Sequence, residues 1–171
     1  MGLQNELGFA YRHQNATHRG IAAVFTTRVG GWLGKWIVPF ADRLWFRVSR
    51  ERSTAIGYLA ALPPIWLTTV GARTGASRRQ PLLAFPFEED LAIIGSNWGQ
   101  DHHPGWVHNL SANPEVTVEY KGKAVSAVAR LASVTESELI WSAAGVRYPG
   151  YAQYRKRAAD RTIRVFILES L

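Results

Sequence analysis

A chain of 171 residues, 47% hydrophobic and 19% charged, has the length of one globular domain and enough apolar material to bury a core without disulfides or structural metal. It contains no cysteine, which excludes a disulfide scaffold, a thiolate zinc site, an iron–sulfur cluster and a cysteine nucleophile, and leans towards a cytoplasmic location. Its 20 Lys+Arg against 13 Asp+Glu give a formal charge of +7, so it should attract anions: nucleic acid, an acidic membrane surface, or a small ligand bearing phosphate or several carboxylates.

The first 30 residues carry Arg12, His13, His18 and Arg19 and no long apolar core, which is not the pattern of a signal peptide. Residues 1–60 read as a basic, amphipathic N-terminal helical extension. From Pro39, Phe40, Leu44 and Val48 recur at i+4 while Arg43, Arg47 and Arg50 collect on another face. Such a helix either packs its apolar stripe on the domain or lies peripherally on the inner face of the cell membrane, a reading that Trp32, Trp36 and Trp45 favour. The uncharged stretch 54–72 is long enough to cross a bilayer, but Pro63-Pro64 interrupt it.

Residues 61–171 change to short β-branched and aliphatic runs at 65–70, 80–86, 90–95, 115–120, 123–131 and 162–168, which predict six strands. Lys121-Gly122 makes a two-residue hairpin turn, and the acidic Phe87–Asp90 segment turns the second run into the third as a solvated tip. Helices are expected from Pro104, from a capping box at Thr135 and Glu138, and around Tyr151 to 159. These short links predict a small antiparallel barrel with helices over its open edges.

Three segments can carry chemistry. Between the first two strands, 71–81 combines Gly71 and Gly75 with Arg73, Arg78 and Arg79, either an anion cradle of backbone amides and guanidinium forks or an ordinary glycine turn with solvated arginines. It has neither the GK[ST] of a Walker loop nor GxGxxG. In the second, a polar loop from Gly95 through Ser96, Asn97 and Trp98 leads into a helix at Pro104, so loop amides and a helix N-terminus face one place that suits an anion or a polar heterocycle. Asp101, His102, His103 and His108 there lack metal-site spacing, because adjacent histidines point apart and 103 to 108 is i+5; Trp106 reads as a core aromatic. In the third, Tyr148, Tyr151 and Tyr154 open a helix where phenol rings either line an aromatic ligand or pack the core. Arg155-Lys156-Arg157 follow as a solvated helical face, and no nucleic-acid partner is expected. No GxSxG supports hydrolysis.

In order, LTTVGARTGASRRQPL (67–82), GSNWGQDHHPGWVHNLSANPEV (95–116), YPGYAQYRKRAADRTI (148–163) and the closing strand resemble the deazaflavin-dependent nitroreductase family, actinobacterial oxidoreductases that use coenzyme F420. The resemblance implies an α+β fold, a split β-barrel of six to seven antiparallel strands of the FMN-binding split-barrel type with flanking helices. It implies that Arg73, Thr74 and Arg78, with Arg79 and Pro81, hold the phosphodiester and polyanionic oligoglutamate tail, and that Ser96, Asn97, Trp98, Pro104 and Trp106 surround the deazaflavin ring and its ribityl chain. Tyr148, Tyr151 and Tyr154 match the substrate side, with Tyr151 placed to orient or protonate the acceptor. Two positions depart from the family pattern: Ala72 follows Gly71 where two basic residues are usual, and Trp98 replaces a small residue. The implied function is hydride transfer from F420H2 to a small electron-poor acceptor, a quinone, enone or nitroaromatic, by a monomer or homodimer. The alternatives are an FMN- or haem-using relative of the same barrel, or a non-catalytic lipid- or cofactor-binding module.

Overall fold

The computed structural model describes residues 2–10, 64–148, 150–158 and 161–171. The amphipathic segment after Pro39 lies outside them, so of the 1–60 extension only a short helix, α1 (Leu3–Leu7), is described.

Among the described residues six strands form: β1 (Pro64–Val70), β2 (Ser77–Phe87), β3 (Asp90–Ile94), β4 (Glu115–Tyr120), β5 (Lys123–Leu131) and β6 (Val165–Ser170). They close into a barrel in the order β1-β2-β3-β6-β5-β4, each pair antiparallel. Alternation selects this arrangement: along β4, Val116, Val118 and Tyr120 point into the core while Glu115 and Thr117 are exposed. The β4–β5 hairpin turns at Lys121 and Gly122, both at positive φ (50° and 84°), the two-residue geometry whose twist suits flanking strands.

Among the described residues, three further helices accompany the sheet: α2 (Gly105–Ala112), α3 (Val134–Arg147) and α4 (Gly150–Arg157). The barrel interior is sealed from opposite ends. Leu3 and Leu7 of α1 join the core with Leu91, Ala127 and Leu168, while α2 contributes Trp106, Val107 and Leu110. The Phe87–Asp90 tip is therefore no free solvated turn: Asp90 Oδ1 accepts the Leu3 amide at 2.9 Å, and Gln4 Nε2 donates to the Glu88 and Asp90 carbonyls at 2.8 Å each. The second core lies outside the barrel, where α3 and α4 bury Ile140, Trp141, Tyr151 and Tyr154 against Phe85, Ile94 and Ile167.

Three element starts differ from expectation by two residues or more. β2 begins at Ser77 rather than at 80, so Arg78 and Arg79 are strand residues on opposite faces. β6 begins at Val165 rather than 162 because the preceding segment is engaged elsewhere, through Arg161 and Arg164. The capping box of α3 is Ser133 and Glu136, not Thr135 and Glu138: the Glu136 amide donates to Ser133 Oγ (3.3 Å) and the Ser133 amide to Glu136 Oε2 (2.7 Å). Glu136 is further fixed by a bidentate Arg130, whereas Glu138 is taken by Arg155.

One register detail positions everything that follows. β1 pairs with β2 over Ser77–Leu83, but β3 pairs with β2 only over Ala84–Phe87. Over 77–83, therefore, no described strand covers the second edge of β2, and the sheet parts there.

Candidate functional site

A cavity of about 310 Å³ occupies this parting. One wall is β2 at Gln80–Leu83; the opposite wall is the end of β3, the loop residues Ser96, Asn97 and Trp98, and Pro104 and Trp106 at the start of α2. Tyr148, Tyr151 and Tyr154 form a third. Nine of the thirteen residues that the sequence nominates thus meet in one place: Pro81, Ser96, Asn97, Trp98, Pro104, Trp106 and the three tyrosines.

The loop wall has a built, strained conformation. The Gly95 amide donates to the Arg164 carbonyl at 2.9 Å, and a Cβ at Gly95 would lie 2.8 Å from Val107 Cγ2, so only glycine lets the chain leave β3 this close to α2. Asn97 and Trp98 then take left-handed φ values of 46° and 58°. Asparagine tolerates this and is steadied by donating from Nδ2 to the His102 carbonyl at 3.0 Å, whereas for tryptophan the conformation costs about 1–2 kcal/mol. Gly99 (φ 75°) completes the turn against α4, where a Cβ would stand 2.9 Å from the Tyr154 carbonyl oxygen. Loop and tyrosine helix are therefore in backbone contact.

All three tyrosines are buried. Tyr151 stands edge-on to Phe85 (5.3 Å) and Trp141 (5.8 Å), and Trp98 stands edge-on to Tyr154 (5.8 Å). The Tyr148 and Tyr154 hydroxyls are 3.2 Å apart, and either can donate to the other. Two hydroxyls that share one hydrogen bond retain one unspent O–H between them. Burial pushes the Tyr154 phenol well above its ordinary range, reinforced by its tyrosine neighbours, and burial also raises Tyr148, against which the bond to Tyr154 works. The pair is thus a neutral hydrogen-bond donor rather than a ready acid. A Cβ at position 150 would meet the Tyr148 ring at 2.7 Å from Cζ, so Gly150 leaves room for that ring.

The other four nominated residues lie beyond the cavity lining. Arg73 and Thr74 sit in the β1–β2 turn, closed by Gly71 N to Ala76 O (2.9 Å) and Gly75 N to Gly71 O (2.8 Å) with Gly75 at φ 65°. Thr74 Oγ1 accepts the Ala76 amide (3.3 Å). Arg78 is an exposed strand residue of β2, two positions before the lining residue Gln80. Arg79 is engaged across the sheet: its guanidinium stacks on Trp66 (4.3 Å) and binds Glu119 (2.9 Å).

Two residues that sequence reasoning missed organise these parts. Asn109 of α2 accepts the Ala72 amide at Oδ1 (3.0 Å) and donates from Nδ2 to Thr69 Oγ1 (3.0 Å), tying the turn to the helix that lines the cavity. Arg161 donates to the carbonyls of Gly95, Ser96 and Gln100. Neither has a sequence signature, since each is an ordinary residue whose partners lie 37 to 66 positions away.

The geometry has known counterparts. A family model described as F420H(2)-dependent quinone reductase matches residues 42–170. An F420H(2)-dependent quinone reductase of Mycobacterium tuberculosis is 30% identical over 104 residues, covering 60% of this chain and 70% of that protein. Among solved structures, an F420-H2 dependent reductase superposes with a TM-score of 0.57 at 37% identity, covering 63% of this chain and 94% of that one. A chain from a domain-swapped dimer gives 0.57 at 35% identity, covering 74% and 98%. The fold is the split β-barrel of these reductases. With most of its length matched, the chain belongs to the F420H(2)-dependent quinone reductase family, and it is an oxidoreductase whose cofactor is coenzyme F420.

Proposed function

We propose that the cavity in the parted sheet holds the deazaflavin ring beside the acceptor, and that the acceptor is a quinone, with enones and nitroaromatics accepted on the same electronic grounds. The observation that carries this reading is the cavity itself, where a strand edge that no described strand covers, a polar loop and a tyrosine wall converge. Its volume of about 310 Å³ lies at the low end of small-ligand pockets, about 300–1,000 Å³, so it suits a flat ring and leaves the anionic tail outside. Exposed Arg73 and Arg78 stand on the side where such a tail would run, and both supply planar forks for phosphate and carboxylate oxygens.

When bound, reduced F420 supplies a hydride from C5 of its ring. The protein's residues do the rest. Pro81, Pro104 and Trp106 give apolar packing, and Ser96 and Asn97 offer polar groups at the loop wall. The unspent O–H of the Tyr148–Tyr154 pair donates to the acceptor oxygen, where negative charge develops as hydride arrives. Tyr151, or water beside it, then delivers the proton that completes reduction to a hydroquinone. The basic 1–60 segment supports a cytoplasmic protein held peripherally at an anionic inner membrane surface, close to lipid-soluble quinones. Among the described residues no helix is long and apolar enough to cross a membrane.

The test compares F420 with its tail-less riboside in quinone reduction. An R73Q/R78Q variant is expected to raise KM for reduced F420 about tenfold while leaving the riboside unchanged, in line with loss of charge-assisted bonds. Equal effects on both donors would remove the arginines from tail binding. Tyr151→Phe should lower kcat with every acceptor, and unchanged turnover would remove Tyr151 from proton delivery.

A further inference from the structure

Arg161 lies between α4 and β6, yet its guanidinium is directed entirely at the loop across from it. Nε donates to the Gln100 carbonyl (3.1 Å), Nη1 to the Gly95 carbonyl (3.0 Å) and Nη2 to the Ser96 carbonyl (2.8 Å). A fourth contact runs from Nη1 to His103 Nδ1 at 3.0 Å. An arginine N–H can only donate, so Nδ1 of His103 must accept, and the imidazole is neutral with its proton on Nε2. One side chain thus clasps both ends of the segment 95–103, whose middle forms the cavity's loop wall.

We infer that Arg161 is a positioning residue for the cavity: with neutral His103 it forms a latch that holds the Ser96–Trp98 wall against the tyrosine helix, and protonation of His103 opens it. This inference rests on the cavity being the F420 site.

The surroundings leave His103 nothing to gain from a charge. Arg161 and Arg164 approach from the segment before β6, and His108 of α2 stands edge-on at 5.9 Å. Asp101 is committed to His102 (2.8 Å), and Glu138 and Arg155, which line the same groove, bind each other. Burial, then the two arginines and His108, accordingly hold His103 below the ordinary imidazole value. With a depressed folded value, the stabilisation is present above the ordinary histidine pKa and is lost as pH falls through the folded one.

The test uses the full chain without cofactor. Amide hydrogen exchange of residues 95–103, corrected for intrinsic rates, is followed at about pH 7.5 and about pH 5.5, alongside fluorescence titration with oxidised F420. In the wild type, loop exchange should accelerate about tenfold at the lower pH, the loss expected for one charge-assisted hydrogen bond, and F420 affinity should fall with it. His103→Asn places an amide oxygen near the Nδ1 position, a neutral acceptor at any pH, and should abolish the pH step in both readouts. Arg161→Lys cannot serve four acceptors with one ammonium and should lose loop protection at both pH values. Wild-type protection in Arg161→Lys, or a pH step retained by His103→Asn, would overturn the latch. If the loop responds as described but the wild type binds no F420, the latch stands and the cofactor assignment to this cavity falls. If F420 binds while the loop ignores pH and both substitutions, the latch falls alone.

Discussion

Trp98 sets an indole on a left-handed backbone at the rim of the cavity, where glycine would rest without strain. Trp98→Gly releases about 1–2 kcal/mol of backbone strain but loses an edge-on contact with Tyr154 worth about 0.5–1.5 kcal/mol, on top of the apolar area that the half-buried indole packs against the second core. The melting temperature should therefore fall modestly, while KM for bulky acceptors falls because the wall has been opened. A large fall in stability with unchanged acceptor preference would make Trp98 a packing residue only. The Tyr148–Tyr154 pair allows a second residue-level test. Each single Tyr→Phe substitution breaks the same hydrogen bond, so each should cost about 1 kcal/mol in denaturant unfolding, and the double variant less than the sum. Strict additivity would mean that the two hydroxyls do not share a bond. The tyrosines were legible in the sequence because of their i, i+3, i+6 spacing. That they spend one proton on each other was not, since it depends on ring directions set by Tyr151, by Trp98 against Tyr154 and by the space left by Gly150.

The same contrast holds among the elements. Strands β1, β4 and β5 stand where the apolar runs place them, because alternation and the Lys121-Gly122 turn are local signals. The start of α3 was misplaced by two residues because Ser133-x-x-Glu136 and Thr135-x-x-Glu138 both satisfy the capping-box pattern. The choice goes with Arg130 at the end of β5, which holds Glu136, and Arg155 of α4, which holds Glu138. Ser133→Ala should accordingly destabilise the protein by about 1 kcal/mol, while Thr135→Ala should be nearly neutral. Arg130, followed by the Ser133 backbone amide and hydroxyl, lowers Glu136 from 4.5 to about 2. The cap's electrostatic contribution is therefore complete above pH 4.5 and is lost as pH falls through 2, which helix content followed by circular dichroism during acid titration will register. Extension of β2 back to Ser77 is hidden in the sequence by arginines that have the character of a loop; as strand residues they diverge, Arg79 binding Trp66 and Glu119 and Arg78 standing exposed on the opposite face.

At the scale of the whole molecule, the site exists because β3 is too short to cover β2, leaving an edge that the loop and tyrosine helix enclose. Sequence motifs named most of the lining, but the parting that joins them depends on strand register, and Arg161 and Asn109 act through partners distant in the chain. The net charge of +7 adds a long-range term that favours a polyanionic cofactor and that salt screens within about 10 Å at 0.1 M. The most direct measurement is a fluorescence titration of oxidised F420 with the full chain at low and high salt, with the tail-less riboside and FMN as parallel ligands. Saturable binding of F420 that weakens with salt, riboside binding that does not, and no competing FMN affinity are expected. Binding of FMN in preference to F420, or F420 binding with no dependence on its tail or on salt, would contradict a deazaflavin site built from this cavity and its arginine approach.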